Sequence, residues 1–132
     1  MVIPVLTSAY AGVFGVIFFA LSLWVVLGRL KFRVIHGDGG KPFLNRRIRA
    51  HANFAEYVPF ILFLVALLEA SGSGPTTVHA LLLPLVIVRI AHPFGMLAPE
   101  SAPAQYIFRG ASIVVTFAIL VISSVLLLTR AL

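Results

Sequence analysis

The sequence has no cysteine, and its charges are few and lopsided: ten Lys and Arg stand against four Asp and Glu in 132 residues. Without cysteine there is no disulfide, no thiolate metal site and no protein thiol nucleophile, so any sulfur chemistry needs a thiol brought by the substrate. Polar low-complexity runs that would serve as linkers are also missing, which leaves one domain over residues 1–132. Charged residues make up 11% of the chain and hydrophobic ones 61%, a balance that excludes an ordinary soluble domain and points to the membrane.

Four apolar stretches account for that balance. Residues 3 to 28 carry no charge; 50 to 68 hold Glu56 as their one carboxylate; 77 to 97 contain Arg89; 110 to 129 are again uncharged. Each approaches or exceeds the ~20 residues that a helix needs to cross about 30 Å of hydrocarbon. The pattern predicts transmembrane helices over about 3–28, 46–70, 77–97 and 105–129. The first is too long for a signal-peptide core of roughly 7–15 residues and has no basic residue before it, so it reads as a retained helix. Short connections between helix pairs make neighbours antiparallel. The expected fold is therefore an all-α, integral-membrane four-helix bundle of up-down topology.

The positive charge is concentrated in one connection. Arg29, Lys31, Arg33, Lys41, Arg46, Arg47 and Arg49 all lie in or beside the loop between the first two helices, whereas residues 69–77 contain no Lys or Arg. The positive-inside rule then places that loop in the cytoplasm and both termini on the outer side, and it explains the charge without a nucleic-acid partner. Within the loop, GDGG at 37–40 reads as a turn, because a phosphate-binding loop would need a preceding strand, a following helix and a lysine. Pro42 is expected to block a helix through the loop, Asn45 to cap the second helix, Gly72 to Pro75 to form the outer turn, and Pro93 to interrupt the third helix late.

Inside the second helix, RAHANFAEYVP raises the question of function. Positions 46, 49, 53 and 56 recur every three or four residues, which puts Arg46, Arg49, Asn53 and Glu56 on one face, with Pro59 one turn beyond and expected to bend the helix. Arg49 and Glu56 are ~10 Å apart along the axis, too far for a direct pair. Partners must come from other helices: Arg29, Arg89 and Arg109 all lie on the cytoplasmic half. Two readings follow. Either these residues form a salt-bridge network that fixes packing, or they line a polar cavity whose excess of arginine takes an anionic ligand.

Other groups carry less. His51 and His92 lack the close His or carboxylate neighbours of a metal site, so no metal is expected. His36 and His79 fall near the interfaces, where solvation suffices; Asp38 is in the loop, and no Ser-His-acid arrangement is present. Gln105, Arg109, Ser112 and Thr116 share a face of the fourth helix, suited to a ligand or simply to packing. Gly12 and Gly15 read as close-packing positions.

The segment RRIRAHANFAEYVP resembles the signature of the MAPEG family, the membrane-associated proteins in eicosanoid and glutathione metabolism. Their second helix carries an Arg-Ala-x-x-Asn-x-x-Glu-[Tyr/Phe]-x-Pro pattern, here Arg49 to Pro59. RLKFRV after the first helix, the GDGG loop and HPFG in the third helix are similar to the small bacterial branch, and the likeness spans nearly the whole chain. The resemblance implies a homotrimer in the bacterial inner membrane, with both termini periplasmic and with glutathione as co-substrate at cytoplasm-facing sites between subunits. By motif position it implies contacts to glutathione from Arg49, Asn53, Glu56 and Tyr57, with Arg29 approaching from the first helix and Arg89 and His92 from the third. Arg109, with Arg29, would stabilise the thiolate. This chain departs from the glutathione-conjugating members at Arg29-Leu30, where they have paired arginines, and at His92 and Met96, where they have tyrosines. The expected activity is that of a glutathione transferase or peroxidase acting on small lipophilic electrophiles from the surrounding lipid. The alternative is a non-catalytic trimer that binds lipid or serves assembly.

Overall fold

A computed structural model describes residues 3–131. Four helices follow in order: α1 (Val5–Phe32), α2 (Pro42–Ala70), α3 (Pro75–Leu97) and α4 (Ala111–Ala131), the last entered through a π-helical turn over Gln105–Gly110. With the π-helical turn included the fourth span runs 26 residues, Gln105–Arg130, so the shortest span is α3 with 23; it covers about 34 Å at 1.5 Å per residue, and every span is long enough to cross the hydrocarbon. Large apolar side chains cover the outside, among them Phe19, Phe63, Ile87, Val114 and Leu128. That is the surface of a helical membrane protein, in which lipid rather than water surrounds the bundle. The all-α, up-down membrane bundle expected from the sequence is the fold observed.

The packing is not a symmetrical square. α2 and α3 touch each other, and α1 and α4 each touch both of them, while α1 and α4 make no contact among the described residues. The α2–α3 pair is therefore the spine. Its core comes from Phe54, Val58, Ile61, Val65 and Leu68 of α2 and from Val78, Leu81, Leu82 and Leu85 of α3, with Phe14 and Leu21 of α1 and Ile119 of α4 closing the two sides. The steps of three and four residues mark one buried face per helix. On α3 that face continues through Arg89 and His92, which are as buried as the leucines before them.

Helix ends differ from expectation in instructive ways. α1 runs a turn past Gly28 to Phe32 and stops at Arg33, whose φ of 54° is left-handed. α2 starts at Pro42 itself, with Lys41 as its cap, so Pro42 initiates the helix and Asn45 lies inside it. Proline at the first helical position loses no hydrogen bond, because that N–H has no partner in any helix. The GDGG turn is as expected: Gly37, Gly39 and Gly40 have φ of 64°, 57° and 69°, which a side chain would disfavour. α3 passes through both Pro84 and Pro93 to Leu97, so the interruption expected at Pro93 does not occur. Gly12 and Gly15 meet no other part of the chain, so their expected close packing is not made within one copy.

The end opposite the basic α1–α2 loop holds a contact that the sequence reading missed. α1 has Pro4 at its cap, which offers no side-chain acceptor. Glu69, in the last turn of α2, supplies it: its carboxylate accepts from the N–H of Leu6 (2.9 Å), the N–H of Thr7 (2.8 Å) and the hydroxyl of Thr7 (2.7 Å). A buried carboxylate aimed at a helix N-terminus is favourable both as an acceptor and as a charge against the helix dipole. Nearby, the hydroxyl of Tyr10 pairs with Nδ1 of His79 at 2.8 Å, giving that histidine a protein partner in addition to its exposure.

Candidate functional site

Apart from Glu69 and Arg130 at the opposite end, the charged residues gather toward the end of the bundle that carries the α1–α2 loop, where they divide into three settings. The first is internal. Arg89, 2% exposed, donates through Nη1 to Oδ1 of Asn53 at 2.5 Å, and its guanidinium carbon lies 5.7 Å from the centre of the Tyr57 ring. The other side of Tyr57 meets Phe117 of α4, with ring centres 5.5 Å apart. Asn53 and Tyr57 of the motif are thus tied to α3 through Arg89, and Tyr57 to α4 through Phe117. Nε of Arg89 and Nδ1 of His92, a turn further along the same face, are buried with no hydrogen-bond partner among the described residues. Arg89 also forms part of the wall of an apolar slot of about 560 Å³ between α1 and α3, with Ile17, Leu21, Trp24, Pro93 and Phe94.

The second setting is a polar cavity of about 450 Å³ at the basic end, lined by Arg46, Met96, Glu100, Gln105, Tyr106 and Arg109. Its geometry depends on Gly95, since a Cβ there would lie 2.6 Å from the backbone nitrogen of Arg109. Ser112 holds the π-helical turn against α3 by bonding to the carbonyls of both Val88 (2.7 Å) and Phe108 (2.5 Å). Both Ser112 and Thr116 bond to backbone carbonyls and are buried, so on the shared face of the fourth helix they serve packing, while Gln105 and Arg109 face the cavity. Arg46 bonds to the carbonyl of Ala98 at 3.2 Å and approaches Glu100 at 3.6 Å, and Gln105 donates to the same carbonyl at 3.0 Å. Arg109 makes no hydrogen bond or ion pair among the described residues. Two arginines against one carboxylate leave the cavity with net positive charge, suited to an anion. π-helical turns often occur at functional sites, where they shift the register of the side chains that follow.

The third setting is the outward face of α2. Arg49 and Glu56 are both exposed, and among the described residues neither has a hydrogen bond or an ion pair. The stripe expected on one face is therefore split: Asn53 and Tyr57 turn inward and Arg46 toward the α3–α4 end, while Arg49 and Glu56 point away from the bundle. Arg29 is half-buried near the end of α1, with Nε lacking a partner. A single chain gathers Arg89, Asn53, Tyr57 and His92 in one place and Arg46 with Arg109 in another. It does not join them to Arg49, Glu56 and Arg29 in one cavity. His51 bonds through Nε2 to the hydroxyl of Ser22 at 3.0 Å and stacks on Phe18.

Sequence reasoning named Gln105 beside Arg109 but missed the cavity residues Glu100 and Tyr106. The pairing of Arg46 with Glu100 joins positions 54 apart, and no local spacing signals it.

Comparison with known proteins agrees with this layout. The MAPEG family model matches residues 7–129. Among curated proteins, the inner membrane protein YecN of Escherichia coli K12 is 33% identical over 89 residues, covering 67% of this chain and 68% of its own, and YecN of E. coli O6:H1 matches to the same extent. No solved structure matches.

Proposed function

Since the chain belongs to the MAPEG family, we propose that it binds glutathione at a site completed between adjacent copies and presents the thiolate to lipophilic electrophiles from the bilayer. One observation carries the reading: on the exposed face of α2, Arg49 and Glu56 have no ion pair or side-chain hydrogen bond among the described residues. Unpaired charges facing lipid are costly, so that face calls for a covering subunit and a ligand with charges of both signs. Glutathione has that pattern. Arg49 holds one of its carboxylates through paired hydrogen bonds, and Glu56 accepts from the γ-glutamyl ammonium.

Asn53 and Tyr57 border the same face, with Arg89 and His92 behind them, and Arg29 contributes from α1. Arg109 supplies the cation beside the sulfur. It lowers the energy of the thiolate, which forms as the thiol proton passes to water; the sulfur then forms a bond to the electrophilic carbon, and the leaving group departs with the electron pair of the bond that breaks. The YecN relatives, inner membrane proteins by name, support placement in a bacterial inner membrane; a homotrimer is the assembly we propose to complete the site. The basic α1–α2 loop supports a cytoplasmic site, with both termini periplasmic.

A second reading is a non-catalytic trimer that binds lipid or serves assembly, and the engagement of Asn53 and Tyr57 by Arg89 favours it, because motif residues are then used in packing. Turnover of a panel of electrophiles with glutathione separates the two. On the first reading Arg109→Ala removes conjugation and keeps glutathione binding; wild-type binding without turnover of any electrophile assigns the chain to the second.

A further inference from the structure

One guanidinium at the basic end has no part in the glutathione reading. Arg47, in the second turn of α2, reaches across to α1, where Nη1 donates to the carbonyl of Trp24 at 3.1 Å. Its guanidinium carbon lies 5.0 Å from the Trp24 ring and 5.3 Å from the Phe43 ring. Gly28 leaves the space for it, since a Cβ there would come within 3.1 Å of Nη1. Two aromatic rings, a carbonyl and a glycine thus fix a planar cation that would otherwise sample many rotamers.

No carboxylate among the described residues pairs with that cation. Nε of Arg47 is buried without a partner, and the one ion pair among the described residues belongs to Arg46. The loop carboxylate of Asp38 is engaged by the N–H of Gly40 at 2.9 Å. The surroundings are of two kinds. Leu27, Leu30 and Phe43 are 52%, 69% and 45% exposed and form an apolar outer surface, while Lys31, Arg33 and Lys41 add exposed positive charge beyond the helix ends. A preformed arginine fork at the seam between apolar surface and basic loop, beside a tryptophan of the kind that marks membrane interfaces, matches an amphiphile with an anionic head.

We propose that the Arg47 cradle binds the phosphate of an anionic membrane phospholipid, whose acyl chains run along the apolar surface of α1. Arginine suits this role because, with one N–H of Nη1 on the Trp24 carbonyl and Nε buried, Nη2 and the second N–H of Nη1 are left to pair with two phosphate oxygens at once. The chemistry is that of a phosphate monoanion, so a dissolved phosphate is the competing source.

The test is a titration of the detergent-purified full chain, read as the shift in thermal unfolding midpoint, with phosphatidylglycerol, phosphatidylcholine, inorganic phosphate and glycerol 3-phosphate. Saturable stabilisation by phosphatidylglycerol alone is expected, with apparent affinity weakened about tenfold in Arg47→Gln, equivalent to ~1.4 kcal/mol. Arg33→Gln in the same loop and Arg130→Gln at the opposite end are expected to change it less than about twofold, since screened, exposed charges act weakly. Arg47→Lys keeps the charge without the fork; it is expected to weaken binding about threefold or more, and it decides the matter if Arg47→Gln does not fold. Equal responses to the two lipids, saturation by inorganic phosphate, or equal losses from Arg33→Gln and Arg47→Gln would each overturn the proposal, the last by showing diffuse attraction in place of a site.

Discussion

Replacing Glu69 with glutamine tests whether the two ends of the α1–α2 pair are joined as described. The accounting at the start of α1 is explicit. The N–H of Val5 turns back to Ile3 and that of Ser8 to Pro4, while those of Leu6 and Thr7 have Glu69 as acceptor. Glutamine keeps the shape but offers one oxygen. Placed toward Thr7 it retains the bonds to that residue and turns an NH₂ group toward the N–H of Leu6, leaving a donor facing donors in a buried site. The lost charge-assisted bond and the unsatisfied donor together cost about 1–3 kcal/mol, and Glu69→Ala, which leaves both backbone donors without an acceptor, costs roughly 2–6. Thr7→Val removes only the hydroxyl bond and should cost about 0.5–1.5 kcal/mol. Reversible unfolding in mixed micelles measures all of these, and a double-mutant cycle between Glu69→Ala, which removes the acceptor of the Thr7 hydroxyl, and Thr7→Val should show coupling of about 0.5–1.5 kcal/mol. Glu69→Gln within ~0.5 kcal/mol of wild type, or a larger loss from Thr7→Val than from Glu69→Gln, would refute the capping role.

Other expectations follow from single contacts. Asn53→Ala takes the hydrogen-bond acceptor from a fully buried guanidinium and should destabilise the bundle by about 1–3 kcal/mol, measured in the same micelles; no loss would mean that Arg89 is held by other groups. Gly95→Ala brings a Cβ against the backbone of Arg109, which cannot swing aside, so α3 and the π-helical turn must separate at a cost of about 1–3 kcal/mol. On the transferase reading that variant should lose more turnover than glutathione affinity, because it displaces the residue assigned to the thiolate. Kinetics beside binding would show the split, and equal losses in both would argue against that assignment for Arg109.

Much of the fold was legible because membrane helices are long apolar runs that depend little on distant partners. The charge asymmetry of the first loop and the motif on α2 were local signals as well. What escaped the sequence depends on packing. The partner of Glu69 lies 62 positions away, and a carboxylate at the end of α2 gives no hint that it caps α1. Periodicity put Arg49, Asn53 and Glu56 on one face, since they fall within one broad stripe. The structure divides that stripe at its edge, because Asn53 reaches Arg89 while its neighbours on either side do not. The reading of Pro42 failed for a simple reason: a proline that ends one element can equally start the next. The π-helical turn has no signature in residue type, and it became visible only through the approach of Gly95 to Arg109.

On the proposed reading, the charges on the outward face of α2 hold glutathione. Equilibrium titration of the detergent-purified protein with glutathione, beside Arg49→Ala and Glu56→Gln, is the decisive measurement. Saturable binding at millimolar or lower concentration is expected, abolished by both substitutions while the oligomer and the helices remain intact. Absence of binding by the wild type, with either substitution instead breaking the oligomer apart, would mean that RAHANFAEYVP holds helices together and would contradict the glutathione site.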